Sequence, residues 1–226
     1  MVFGSGPALV IAPHPDDEVL GVGGTIARLA SEGRDVFVVI TTRGGPPLFD
    51  EAFIERGRRE ALEAHEALGV RKTTFLEGFP AALLDTVPLS TLNAALLEVV
   101  DEISPEVLFI PFPGDLHVDH RKVAEAALVV ARPNRDHGIR SVLAYEVLSE
   151  TNWNAGVSPA FQPNTYVDIS SHIAAKLAAM ERFGSQLKAF PHERSLEAIE
   201  SLGRTRGAAA GCRSAEAFVL MRQILR

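Results

Sequence analysis

Short runs of consecutive apolar residues recur along the chain and alternate with helical patterns, which limits the fold more than any other feature. Ala8–Ala12 (ALVIA), 36–41 (VFVVIT) and Val107–Pro111 (VLFIP) show no polar–apolar alternation. Strands of that kind are buried on both faces, so helices must cover a mostly parallel sheet above and below. Shorter strands are expected at 73–76, 142–147 and 165–169. Helical patterns fall between them: 25–32 closed by Gly33, Glu51–Leu68 closed by Gly69, and 119–132. Another, capped by Ser90, places Leu92, Leu96, Val99 and Ile103 on one stripe and stops at Pro105. Later helices are expected at 171–189, 195–206 and 214–224. Strand–helix alternation predicts a doubly wound, mostly parallel α/β sheet, in one domain over residues 1–226. Segment 149–164, with Asn152, Asn154, Gly156, Pro159 and Pro163, reads as a lid or binding loop.

Composition narrows the function. With 22 Lys+Arg against 29 Asp+Glu the formal charge is −7, and no basic run offsets it. Such a chain is poorly suited to gripping a nucleic-acid backbone. The single cysteine, Cys212, excludes an internal disulfide framework and any cysteine-rich zinc site. No apolar run approaches the length of a membrane span, and the first residues lack a basic leader. A cytoplasmic protein without a membrane or nucleic-acid partner is therefore expected.

Two polar clusters follow predicted strands, where ligands bind in open α/β sheets. The first is His14-Pro15-Asp16-Asp17-Glu18. His14 and Asp17 are three residues apart, so one tight turn can aim both at a divalent ion. Asp16 then points elsewhere and is free to act on a proton. The second is Asp115-Leu116-His117-Val118-Asp119-His120. His120 could complete the ligand set, His117 could sit beside the ion, and Asp119 could orient an imidazole. Either cluster alone could be a solvated helix N-terminus. Two other templates fit less well. The metallo-β-lactamase signature requires histidine where Asp115 stands. Gly21, Gly23 and Gly24 do not follow dinucleotide-binding spacing and read instead as close packing at a helix start.

Together the two clusters resemble the LmbE-like (PIG-L) deacetylase family, through AxHPDDExLGxGGT near the N-terminus and HxDH about 100 residues later. The likeness continues in Val167-Asp168-Ile169, Lys176 and Ser185-Gln186, and in Arg206-Gly207 and Ala215-Glu216-Ala217-Phe218. The resemblance implies a Rossmann-like fold and a zinc-dependent N-deacetylase acting on a small N-acetylated amino sugar or its conjugate. It implies His14, Asp17 and His120 as metal ligands, with one zinc per chain and iron as the alternative. It implies Asp16 as general base, His117 as the group that stabilises the oxyanion or protonates the leaving amine, and Asp119 as its partner. His117 is expected to act in its protonated form.

Arg56 and Arg140 are the expected substrate contacts, with Arg58 and Arg59 nearby. The family's Arg-x-x-Glu pattern is broken because Gly57 stands three residues before Glu60. Two alternatives to the deacetylase stay open: metal-dependent hydrolysis of a phosphoester or lactam, and a non-catalytic metal-bearing glycan-binding module. A homo-oligomer also stays open. His65, His137 and His172 are expected to be structural or solvated, His192 and Trp153 to lie at most at the margin of the site.

Overall fold

The computed structural model describes residues 3–134, 138–154, 156 and 158–225; His137 lies outside them. In chain order the elements are β1 (Ala8–Ala12), α1 (Asp17–Ser31), β2 (Val36–Ile40), α2 (Glu51–Leu68), β3 (Lys72–Phe75) and α3 (Leu89–Ile103). They continue with β4 (Val107–Pro111), α4 (Val118–Val130), β5 (Ser141–Tyr145), β6 (Thr165–Asp168), α5 (Ile173–Arg182), α6 (Leu196–Ala210) and β7 (Ala215–Gln223). A short 3-10 turn, Leu84–Thr86, precedes α3.

The strands form one seven-stranded sheet in the order β3-β2-β1-β4-β5-β7-β6. The first five run parallel, while β7 pairs antiparallel with both β5 and β6. Because side chains alternate across a strand, the uniformly apolar runs feed two cores at once. Val10, Val38, Phe109 and Leu143 pack with α1, α2 and α5 on one face. Leu9, Ile11, Leu108, Ile110 and Val142 pack with α3 and α4 on the other. The chain leaves β1 toward β2 and returns through β4 on β1's other side. The crevice above the carboxyl ends of β1 and β4 is thus the topological switch point, where such sheets bind ligands. Both polar clusters follow these two strands.

Helix α1 begins at Asp17, not beyond the glycines, so Gly21, Gly23 and Gly24 lie inside it. Close packing keeps them there. A Cβ on Gly21 would come within 2.3 Å of the Tyr145 ring, and one on Gly24 within 2.6 Å of Ile169. Tyr145 donates its hydroxyl to the Ile11 carbonyl at 2.9 Å, tying β5 to the end of β1 beneath the site. The cap expected at Ser90 is also displaced: Pro88 stands at the N-cap of α3, without a side-chain cap, and Ser90 lies in the first turn.

The segment 214–224, expected to be helical, is strand β7. Its apolar run is short enough to suit either structure, and pairing decides it. Phe218 sits opposite Tyr145, and Glu216 opposite Val167. The strand also delivers a buried carboxylate. Glu216 accepts hydrogen bonds from the backbone N–H groups of Gly24 (2.9 Å) and Thr25 (2.7 Å) and from Lys176 Nζ (2.6 Å). Lys176 also donates to the Leu20 carbonyl at 2.7 Å. One ion pair therefore locks α1, α5 and β7 together. Replacing Lys176 by alanine strands a buried carboxylate, with an expected loss of about 3–5 kcal/mol. Urea denaturation of the variant checks this.

Candidate active site

The tight turn after β1 sets the geometry. Asp16 occupies the N-cap of α1 with φ 109°, a region that L-residues seldom adopt. Strain of about 1–3 kcal/mol persists only where surroundings enforce it, and such residues cluster at active sites. Here the Asp16 carbonyl accepts from the backbone N–H groups of Val19 and Leu20, and its N–H donates to Glu18 Oε2. Glu18 is fixed in turn by His65 Nε2 at 2.9 Å, and His65 Nδ1 pairs with Thr73. His65 is structural, as expected.

The clusters after β1 and β4 meet. Asp17 Oδ2 lies 3.2 Å from His14 Nδ1 and 3.2 Å from His120 Nε2. His14, Asp17 and His120 thus present one ligand atom each within 4.8 Å of one another. His14, His117 and Asp119 form a second group within the same limit. The groups differ in how well they are satisfied. Asp119 accepts from His14 Nε2 (2.9 Å), Ala82 N (2.6 Å) and Leu84 N (3.1 Å), and His117 Nδ1 accepts from Asp119 N (3.1 Å). In contrast, Asp17 Oδ1 and His120 Nε2 are buried and find no hydrogen bond among the described residues. Buried polar atoms left without a hydrogen bond in one such group are what a cation would satisfy.

Behind the first group runs a support chain. His120 Nδ1 donates to Asp115 Oδ2 at 2.8 Å, and Asp115 Oδ1 accepts from the Thr151 hydroxyl at 2.6 Å. A carboxylate behind an imidazole fixes its tautomer and orientation. Truncating Asp115 to alanine is therefore expected to weaken metal affinity about 10–100-fold. Competition with a chromophoric chelator would measure it.

The charges interlock. Burial lowers His14, but the hydrogen bond it donates to Asp119 and the contact with Asp17 raise it to about 9. Burial likewise lowers His120, yet Asp17 and Asp115 carry it to about 10. Burial alone would raise Asp17, while His120 and His14 hold it well below the usual carboxylate range. Asp16 is pushed up to about 8 by burial, opposed by the Arg194 guanidinium. Burial and the two neighbouring histidines lower His117 to about 4. With Nδ1 accepting a backbone N–H, the His117 proton sits on Nε2, so the side chain is a neutral donor and not the imidazolium expected from sequence.

A cavity of about 230 Å³ opens onto this cluster, with His14, Asp16 and His117 on one side. Phe49, Phe53, Ile54 and Phe75 form an apolar wall, and Arg58, Glu150 and Arg194 contribute charge. Arg56 does not line it. Residues Phe53, Ile54, Gly57 and Arg58 share the cavity-facing stripe of α2, whereas Arg56 is turned away and exposed. Arg58 stacks over Phe75 at 5.0 Å and pairs with Glu77. Arg140 is not brought to the site either. It precedes β5 and so stands at the amino edge of the parallel strands, pairing with Glu106 at 3.4 Å. Neither His192 nor Trp153 lines the cavity; Trp153 is exposed and donates to Glu193 at 2.6 Å. Arg194 and Glu150 are cavity residues that sequence reasoning does not single out.

Residues 9–131, more than half the chain, match the PIG-L family, described as GlcNAc-PI de-N-acetylase. The chain belongs to the PIG-L family. Among its PIG-L relatives is the 1D-myo-inositol 2-acetamido-2-deoxy-alpha-D-glucopyranoside deacetylase of Mycobacteroides abscessus, 32% identical over 79% of this chain and 81% of that one. The diacetylchitobiose deacetylase of Thermococcus kodakarensis is 30% identical over 82% and 70%. The N,N'-diacetylchitobiose deacetylase structure from Pyrococcus horikoshii superposes with TM-score 0.76 and 25% identity over 96% of this chain and 84% of that one. These likenesses bear out the resemblance read from the two motifs, and the fold is the α/β architecture expected. Among the described residues no helix is long and apolar enough to cross a membrane.

Proposed function

We propose that this PIG-L member removes the N-acetyl group of an amino sugar or its conjugate, releasing acetate, with one zinc ion held by His14, Asp17 and His120. The observation that carries the ligand choice is the pair of unsatisfied buried atoms, Asp17 Oδ1 and His120 Nε2, beside a second group that already has its donors. Three protein ligands of imidazole and carboxylate type suit a hydrolytic zinc site. Bound there, the metal would lower the pKa of water toward about 7 and polarise the acetamide carbonyl.

The chain's own groups divide the remaining work. Asp16, buried and not part of either ligand group, takes the proton of the attacking water. His117 donates its Nε2–H to the oxygen on which negative charge develops. A neutral imidazole is a weak acid, so Asp16 returns the proton to the leaving nitrogen. Asp119 does not touch the reacting atoms. It holds His14 through Nε2, which leaves Nδ1 turned toward Asp17. The reading extends to a cytoplasmic enzyme on a small N-acetylated sugar.

A substrate panel tests the reaction class. Acetate release from N-acetylglucosamine and its glycosides is expected, with slow turnover of chromogenic phosphoesters and lactams. Preferential phosphoester cleavage would reverse the assignment, and glycan binding without acetate release by zinc-loaded protein would favour a binding module.

A further inference from the structure

Asp16 has an unusual freedom for a residue asked to move a proton. It stands at a helix N-cap but makes no side-chain cap bond, and its Oδ2 is buried with no hydrogen bond among the described residues. Among the ion pairs of the described residues, one reaches it: Arg194 Nη1, 3.1 Å from Oδ2. We propose that Arg194 is a positioning residue that acts through Asp16, its guanidinium fixing the direction in which the carboxylate points. The inference rests on the reading of Asp16 as the base.

Arg194 is itself held before any substrate arrives. Its Nη1 donates to Gln186 Oε1 at 2.9 Å and its Nε to Ser149 Oγ at 3.3 Å. Its backbone N–H donates to His192 Nδ1 at 3.0 Å, and its carbonyl accepts from Lys188 N at 3.1 Å. The adjacent Glu193 accepts from Trp153 Nε1 and from Asn152 Nδ2. Gln186 follows Ser185, which is bound to Glu60 on α2 through its backbone N–H at 3.0 Å and its hydroxyl. The guanidinium therefore sits where the loop before α6 is stitched to the loop after β5 and, through Ser185, to α2. A planar fork anchored in this way has little freedom left to lose, and it transfers that order to the carboxylate it faces. This gives His192, Trp153 and Ser185-Gln186 a role behind the site, although His192 and Trp153 do not line the cavity.

The test is a double-mutant cycle in zinc-loaded protein. Misplacing a reacting group by about 1 Å can cost about 100-fold, so Arg194→Ala is expected to lower kcat roughly 10–100-fold. KM should stay within about threefold of wild type, because the lost contact is not with substrate. Metal content should not change, and Arg194→Lys should recover part of the rate. In an Asp16→Asn background, Arg194→Ala should cost nothing further, because groups that act as a unit are not additive. A raised KM at unchanged kcat, or a further tenfold loss in that background, would overturn the proposal in favour of direct substrate contact. A crystal structure of metal-loaded Arg194→Ala gives a reading independent of turnover. The Asp16 carboxylate should leave its wild-type orientation, and an unchanged carboxylate overturns the proposal. If wild-type protein released no acetate, the deacetylase reading would fail while this structure still decided the role of Arg194.

Discussion

Replacing Asp16 by asparagine is expected to lower kcat by about 10²–10⁴-fold, the range that a positioned general base contributes. Metal content should stay at the wild-type level, because Asp16 is absent from both ligand groups. The fold should also survive. What holds the turn is backbone: the Asp16 carbonyl accepts from Val19 and Leu20, and its N–H donates to Glu18. Asparagine keeps all three bonds and tolerates positive φ as well as aspartate does. Steady-state acetate release and metal analysis on the same preparation separate lost chemistry from lost metal. Full activity in Asp16→Asn would remove the base from the account.

His120→Ala is expected to have the second large effect, by a different route. His120 is fully buried and stands on the first turn of α4 between Asp17 and Asp115. Removing the imidazole leaves two candidate ligands where an open hydrolytic site needs three. It also leaves two carboxylates near one another without the cation between them. The variant should dialyse to metal-free protein and release no measurable acetate. Wild-type zinc content in this variant would move the ion to the His14, His117 and Asp119 group. The contrast is diagnostic: Asp16→Asn keeps metal and loses rate, while His120→Ala loses both.

Much of the site is legible in the sequence, because both motifs are short, local and placed after strands whose direction is readable. His14, Asp17 and His120 converge because β1 and β4 are parallel neighbours with their carboxyl ends on one edge. The same rule exposes the weakness of Arg140, since a residue that precedes a parallel strand lies at the opposite edge. Arg56 fails for a related reason. Positions 56 and 58 are about 200° apart on a helix, and the stripe set by Phe53, Ile54 and Gly57 already selects Arg58. Arg194 carries no such local signal. Its approach to Asp16 depends on how the loop before α6, about 180 residues from the first motif, is stitched to the loop after β5. Strand β7 is illegible for the same reason, because partners distant in sequence decide its conformation. The helix start hidden by Gly21, Gly23 and Gly24 is different: glycine discourages a helix locally, and the nearness of Tyr145 and Ile169 overrides that tendency.

Acetamide hydrolysis is expected to depend on one metal ion at the junction of the two motifs. The most direct measurement is acetate release from an N-acetylglucosaminide during zinc titration of chelator-stripped protein. This dependence predicts no release from the stripped protein, then activity rising in proportion to added zinc and reaching a plateau at about one equivalent per chain. Stripped protein that retains full activity, or a titration that leaves His120→Ala as active as wild type, would contradict it.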